Sequence, residues 1–440
     1  MEALVYQGLD KRALEERPVP EIKDPGDAIV RIVKTTICGT DLHILKGDVS
    51  TCAPGRILGH EGVGIIEKTG PGVTTFHQGD HVLISCISAC GKCEYCRRGM
   101  YSHCTTGGWI LGNQIDGTQA EYVRIAHADT SLYPVPEGAD EEALVMLSDI
   151  LPTGFECGVL NGKIEPGSTV AIVGADPIGL AALLTAQFYS PAEIIMIDLD
   201  DNRLQVAKRF GATATVSAAG GMSAELVMKM TGGRGVDTAI EAVGVAATFI
   251  TCEDIVAPGG TIANIGVHGV KVDLHLERLW AQNITITTRL VDTVTTPMLL
   301  KTVQSRKIDP KQLITHRFKL DRILDAYDTF GRAASTQALN QGLRRIFGLI
   351  TREPCLGNER FGITNLRLYA SRIEFSVGTG SFSVTRGISY DGTGLHARII
   401  RFRAGLYSAE CDSNDGDLGP RSDREWRRQY GPAIGAEVVQ

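Results

Sequence analysis

Along the first 150 or so residues, apolar positions recur in short runs that alternate or are β-branched. They are Ala28-Ile29-Val30-Arg31-Ile32-Val33, Gly62-Val63-Gly64-Ile65-Ile66, His81-Val82-Leu83-Ile84 and Glu121-Tyr122-Val123-Arg124-Ile125. Gly, Pro and Asp punctuate them, which is the pattern of a small β-barrel or sandwich. From about Thr153 the period changes. Ser168–Val173 is a continuous apolar strand, the turn Gly174-Ala175-Asp176-Pro177-Ile178-Gly179 opens a helix running to Ser190, and a second apolar strand, Ile194–Ile197, ends at Asp198. The alternation continues through helix Leu204–Phe210, strand Thr213–Ser217, helix Ser223–Thr231, strand Val236–Glu241, helix Ala246–Val256 and strand Thr261–Ile265. Strands and helices in alternation predict an α/β doubly wound sheet. Helical Leu299–Arg306 and Asp321–Phe330 follow, with strand-like Ile314–Phe318 between them.

At 440 residues the chain has room for two or three domains with sizeable cores. A net charge of −7 gives no electrostatic reason to expect a nucleic-acid partner. No apolar run approaches membrane-spanning length, so no membrane partner is expected. Met1-Glu2-Ala3-Leu4-Val5-Tyr6 lacks the basic start and apolar stretch of a secretory signal, which points to the cytoplasm. Of 11 cysteines, four fall in one tight run, and in a reducing compartment such a run reads as metal binding. Cys52, Cys86, Cys157 and Cys252 read as buried free thiols.

The candidate chemistry sits beside the predicted strands. Cys38-Gly39-Thr40-Asp41-Leu42-His43 and Gly59-His60-Glu61 supply a thiolate, an imidazole and a carboxylate, all side chains that Zn²⁺ takes as ligands. Thr40 and His43 offer a route for moving a proton. In the tight run, Cys90, Cys93 and Cys96 with Cys104 beyond them can close a tetrahedral shell around a structural zinc. An iron–sulfur cluster and a fortuitous cysteine-rich turn are the rival readings. The order strand, glycine turn, helix, strand, acid is a dinucleotide fingerprint, with Asp198 nineteen positions after Gly179. Asp198 accepts hydrogen bonds from the adenosine ribose and repels a 2′-phosphate, favouring NAD over NADP. The turn has Asp176 where its second glycine is usual. That residue adds a Cβ and a negative charge near two phosphates, so weaker NAD binding than in an Asp176→Gly variant is expected.

The Cys38–His43 and Gly59–Gly64 segments, together with the four-cysteine run, resemble the zinc-dependent medium-chain alcohol dehydrogenases from Met1 to about Thr336. Leu147-Ser148-Asp149-Ile150-Leu151-Pro152-Thr153-Gly154 is similar to the family segment carrying the third ligand of the catalytic zinc, and Asp149 there matches the bacterial secondary-alcohol branch. On its own Asp149 reads as a helix-interior or capping acid. Gly108-Trp109-Ile110-Leu111-Gly112-Asn113 is similar to the same branch, which implies that Trp109 lines the substrate pocket. A core tryptophan beside the cysteine lobe is the plainer reading.

The resemblance implies a GroES-like β-rich catalytic domain, residues 1–152 with 291–336, and a Rossmann NAD-binding domain over 153–290. It implies two zinc ions per chain, the catalytic one on Cys38, His60 and Asp149. Thr40 and His43 relay the proton, and Glu61 orients His60 or contacts the metal. Thr153, Gly174, Pro177, Ile178, Gly179, Asp198, Arg203, Gly244, Ile265, Gly266 and Val267 surround the dinucleotide. The implied reaction is reversible hydride transfer between NAD and a primary or secondary alcohol, with secondary favoured, giving an aldehyde or ketone. The implied assembly is a homotetramer or homodimer. A polyol or L-threonine dehydrogenase shares these motifs. A non-catalytic zinc- and nucleotide-binding protein is the reading from another class.

After about Gln337 lysine disappears, arginine becomes frequent and no periodicity persists. The family's terminal strand starts at Ala338-Leu339 and is broken at Asn340, and Cys411–Asp417 is polar and loose. Residues 337–440 are therefore expected to be an unrelated arginine-rich extension, such as an altered reading frame would produce, and not a functional domain. A small accessory domain is the rival.

Overall fold

Strand Ala28–Thr36 is the spine of the first lobe, because three other strands pair with it. The computed structural model describes residues 1–334 and the strand segments 348–351, 365–369, 372–377, 380–384, 388–390 and 395–397. The 7-stranded sheet runs His316–Lys319, Gly348–Thr351, Ala28–Thr36, Gly62–Thr69, His81–Ile84 and Leu132–Pro134, and Tyr122–Ile125 also pairs with Ala28–Thr36. Alternation does the sorting. Ala28, Val30 and Ile32 pack with Ile66, Val82, Ile84, Val123 and Ile125 in one cluster, while the residues between them escape it. Burying each such aliphatic side chain contributes about 1.5–3 kcal/mol.

The second lobe is a 6-stranded sheet in the order Ala214–Ser217, Glu193–Asp198, Thr169–Val173, Val236–Glu241, Val256–Asn264 and Thr285–Thr288, with every pair parallel. Its inner strands Thr169–Val173 and Glu193–Asp198 are largely apolar because both faces are covered. Val170 and Ile172 join one core cluster and Ala171 and Val173 another, and Ile194 and Met196 separate from Ile195 and Ile197 in the same way. Thr169–Val173, the first strand in sequence, lies between the second and the fourth. The strand order therefore reverses there, and a crevice opens at the carboxyl ends of the two central strands.

Two crossings join the lobes. A π-helix, Gly154–Leu160, carries the chain out of the first lobe and buries Glu156 completely. Glu156 accepts hydrogen bonds from the Asp292 and Thr295 amides, each at 2.9 Å, and from the Thr295 hydroxyl at 2.8 Å. Asp292 in turn accepts from the Ser102 amide and hydroxyl and pairs with Arg289 at 2.7 Å. Two buried carboxylates, Glu156 and Asp292, thus tie both crossings to the loop that leads into Cys104.

The predicted elements recur with ends shifted by a few residues. Strands Glu2–Gly8, Lys11–Glu16, Leu132–Pro134 and Thr285–Thr288 were not expected from the pattern. The first two form their own 2-stranded sheet, and the last, Thr-Ile-Thr-Thr, is too polar to read as a strand without its neighbour. One boundary needs correction. Gly348–Thr351 lies within the stretch expected to be an unrelated extension, yet it pairs antiparallel with Ala28–Thr36 and parallel with His316–Lys319. Ile350 joins the core with Ile323 and Tyr327. Residues 1–354 form one compact unit and 355–440 a second. Within the second, Asn365–Tyr369, Arg372–Val377 and Gly380–Val384 form an antiparallel sheet, and Ile388–Tyr390 pairs with Leu395–Ala397, strands that the lack of periodicity there did not predict. Ala338–Asn340 and Cys411–Asp417 lie outside the described residues. Among the described residues no helix is long and apolar enough to cross a membrane.

Glu156→Ala strands several buried donors, so it is expected to cost about 3–5 kcal/mol and lower the unfolding midpoint. Glu156→Gln keeps an acceptor oxygen and should lose about half as much or less. Thermal and denaturant unfolding of the two variants beside the parent checks the order.

Candidate metal and cofactor sites

Cys38 leaves the spine strand and caps helix Gly39–Lys46. The Asp41 carboxylate accepts from the Cys38 amide at 2.9 Å, closing a capping box that fixes the thiol's direction. Gln119 donates to the same carboxylate at 3.0 Å and accepts from the buried Tyr327 hydroxyl at 2.8 Å. His60 and Glu61 precede strand Gly62–Thr69 and are almost fully buried. Asp149 sits at the start of the short helix Ile150–Thr153. Its Oδ2 lies 3.1 Å from His60 Nε2 and 3.9 Å from Cys38 Sγ, and its Oδ1 accepts from the Thr153 hydroxyl at 2.5 Å.

Ligand atoms of Cys38, His60, Glu61 and Asp149 therefore all lie within 4.8 Å of one another. Three acids surround one imidazole. Burial pushes the Cys38 thiol up to about 12. Burial and the neighbouring Asp149 charge push Glu61 up to about 8. Burial opposes the charge on His60 and on Asp149. It is outweighed by their mutual hydrogen bond and charge, together with the hydrogen bonds between Cys38 and His60 and from Thr153 to Asp149. The imidazole is therefore held well above and the carboxyl below its ordinary range. Glu61 Oε2 accepts from the Thr36 hydroxyl at 2.7 Å, while Oε1 is buried without a hydrogen-bond partner. A soft thiol, an imidazole and carboxylates with one orphaned oxygen fit a divalent cation such as Zn²⁺.

Around this cluster, the Trp109 ring stands edge-on to His60 with centroids 6.3 Å apart. The Thr40 hydroxyl is 3.7 Å from Cys38 Sγ. His43 is on the same helix, part-exposed, with Nδ1 2.8 Å from Asp48 Oδ2. Asp48 was not foreseen. It lies five residues past His43, beyond the helix's left-handed Gly47, and only the cap geometry returns it to the ring.

The four-cysteine lobe brings Cys90, Cys93, Cys96 and Cys104 into a second cluster, again within 4.8 Å. Backbone amides point at the sulfurs: Cys90 N to Cys104 at 3.2 Å, Cys93 N to Cys90 at 3.4 Å and Cys96 N to Cys93 at 3.5 Å. The Cys96 amide leads the groups that lower Cys93 to about 6. Four sulfurs with amide support fit a closed tetrahedral zinc shell.

At the crevice of the second lobe, Gly174 adopts φ +111°, and a Cβ on Gly179 would lie 1.8 Å from Gly174 O, so the turn admits no side chain at either position. Asp176 caps helix Pro177–Ala186, its Oδ1 accepting from Ile178 N and Gly179 N at 3.1 Å each. Asp198 accepts from Ala175 N at 2.7 Å and from Asp200 N at 2.9 Å, with Arg203 Nη1 at 3.4 Å. The Gly244 and Gly266 loops meet over Glu241, which accepts from Val243 N, Gly244 N and the Thr248 hydroxyl. Ile265 and Val267 flank Gly266 in the same loop, and Ile265 packs partly against the core. Glu241 is a second group that the pattern missed. An acid closing an apolar strand was the available signal. Thr153, expected beside the dinucleotide, donates its hydroxyl to Asp149.

A family profile described as the alcohol dehydrogenase GroES-like domain matches residues 24–137, and one described as zinc-binding dehydrogenase matches residues 177–305. An alcohol dehydrogenase of Cupriavidus necator is 38% identical over 358 residues, covering 75% of this chain and 95% of that protein. An NADP-dependent isopropanol dehydrogenase of Thermoanaerobacter brockii is 34% identical, covering 71% of this chain and 90% of that protein. The apo structure of zinc dependent alcohol dehydrogenase 2 from Streptococcus pneumoniae is similar with a TM-score of 0.75 at 54% identity, over 80% of this chain and 99% of that one.

Metal analysis of purified protein is expected to give about two zinc ions per chain. Cys96→Ser should remove about one of them and lower thermal stability, since a metal-braced lobe loses folding energy with its metal. Asp149→Ala should remove the other with little change in melting temperature.

Proposed function

The chain belongs to the zinc-dependent alcohol dehydrogenase family, and from that premise we propose that it passes hydride reversibly between NAD and a small secondary alcohol to give a ketone. Primary alcohols, yielding aldehydes, are the poorer substrates. The observation that carries this reading is the convergence of Cys38, His60 and Asp149 from three separated segments beside the Trp109 ring.

When bound, zinc supplies a Lewis acid that acidifies an alcohol hydroxyl and the dinucleotide supplies the hydride acceptor. The chain's own residues do the rest. Thr40, at the edge of the cluster, accepts the hydroxyl proton, and part-exposed His43 hands it on to solvent. Asp48 holds His43 Nδ1, leaving Nε2 for the incoming proton. Glu61, pinned by Thr36, places its orphaned oxygen 3.9 Å from His60 Nε2, at the edge of the same cluster, where it is available to the metal. Thr153 holds Asp149 through its hydroxyl. Trp109 walls the site with apolar surface and excludes water, as hydride transfer requires.

Asp198 stands at the carboxyl end of its strand, with one oxygen accepting from the Ala175 amide and the other from the Asp200 amide. It accepts the adenosine ribose hydroxyls and repels a 2′-phosphate, which favours NAD even though the isopropanol dehydrogenase relative is NADP-dependent. That relative supports the preference for secondary alcohols, since isopropanol is one. The outer strand Thr285–Thr288 lies at the sheet edge, and Trp280, 80% exposed, and Val270, 72% exposed, lie near it in sequence. An open edge with apolar neighbours supports a homodimer, or a homotetramer built from two of them.

Assays with 2-propanol, 2-butanol, ethanol, sorbitol and L-threonine, each with NAD⁺ and NADP⁺, should show highest kcat/KM for a secondary alcohol with NAD⁺. Preference for sorbitol or threonine would move the chain to the polyol or threonine branch, and no turnover in any well would leave a binding protein. His43→Ala is expected to cut kcat about 10²-fold near neutral pH. The loss should shrink as pH rises, because a more basic solvent takes the proton directly. Asp48→Asn should show the same pH pattern with a smaller loss.

A further inference from the structure

The cofactor turn contains an acid where close approach to a pyrophosphate favours glycine. Two roles of glycine separate here. Gly174 and Gly179 are required by the backbone itself, one by its positive φ and the other by contact with Gly174 O. Position 176 is different. Its φ of −79° and ψ of 179° suit any residue, so the fold loses nothing by having Asp there. The consequence falls on the ligand. The Ile178 and Gly179 amides, at the N-terminus of a 10-residue helix, are donors that a bound pyrophosphate would use, and both already serve the Asp176 carboxylate.

We propose that Asp176 is an internal anion that competes with the dinucleotide pyrophosphate for the turn amides and so sets the protein's affinity for its cofactor. The inference rests on the dinucleotide-binding reading of this lobe and deepens it. Binding requires the carboxylate to yield those amides and then to stay near two phosphates of like charge. Both costs attach to the phosphates and neither to the adenosine. The helix keeps its cap in the free protein, because Asp is among the best N-cap residues.

Calorimetric titration of the full-length chain with ADP and with adenosine tests this without turnover. Three forms are compared at low and high salt: the parent, Asp176→Gly and Asp176→Asn. Asn caps a helix as well as Asp does, so it removes the charge while keeping the cap. The expected result is ADP binding roughly tenfold tighter in Asp176→Gly, with a smaller gain in Asp176→Asn, both gains shrinking as salt screens the repulsion. Adenosine affinity should be the same in all three. Equal ADP affinity in the parent and Asp176→Gly would overturn the proposal, as would a parallel gain for adenosine, which would place the effect in the adenine pocket. If no form binds either ligand, the dinucleotide reading itself falls, an outcome distinct from the other two.

Discussion

Packing three acids around one imidazole inside a protein is unfavourable until something positive balances them, and the first lobe is built around that constraint. Cys38, Glu61 and Asp149 crowd His60 in a pocket where burial, reinforced by the neighbouring negative charges, drives the thiol and Glu61 toward their neutral forms. The arrangement persists because each member is held from behind. Asp41 holds the Cys38 amide, Thr36 holds Glu61 and Thr153 holds Asp149. Groups held this firmly cannot relax apart to relieve their repulsion. They therefore present a divalent cation with ligands already in place.

The same reasoning explains why the lobes are joined as they are. Asp149 belongs to the first lobe, but the π-helix that continues from Ile150–Thr153 packs on the second, with Gly154 against the Ala181–Ala182 backbone. Any play at this junction would move Asp149 relative to Cys38 and His60. Glu156 removes that play by engaging the return crossing at Asp292 and Thr295, and Asp292 passes the connection to Ser102 near the cysteine lobe. The four-cysteine cluster, remote from the chemistry in sequence, is thereby tied to the hinge on which the site depends.

Opposite choices govern the two ends of the site. Around the metal ligands, negative groups are gathered for a cation to neutralise. At the glycine turn of the second lobe, a negative group occupies the first amides of the helix. The first raises the attraction for zinc. The second, under the competition proposed for Asp176, opposes the attraction for a pyrophosphate.

Much of this was legible in the chain itself. Period-two alternation sorted Ala28, Val30 and Ile32 to one face, and unbroken apolar runs announced strands covered on both sides, because side-chain direction along a strand is a local property. Cysteine spacing and the glycine turn were local in the same sense: their ligands or amides come from a few adjacent residues. The sequence did not reveal Asp48 against His43, Glu241 beneath the two cofactor loops, Glu156 across the hinge, or Gly348–Thr351 on the spine strand. Nor did it reveal that Asp176 would occupy the very amides a phosphate needs. Each of these depends on where a carboxylate or a strand meets groups brought near by folding, and no residue's neighbours along the chain record which partners the fold will bring to it.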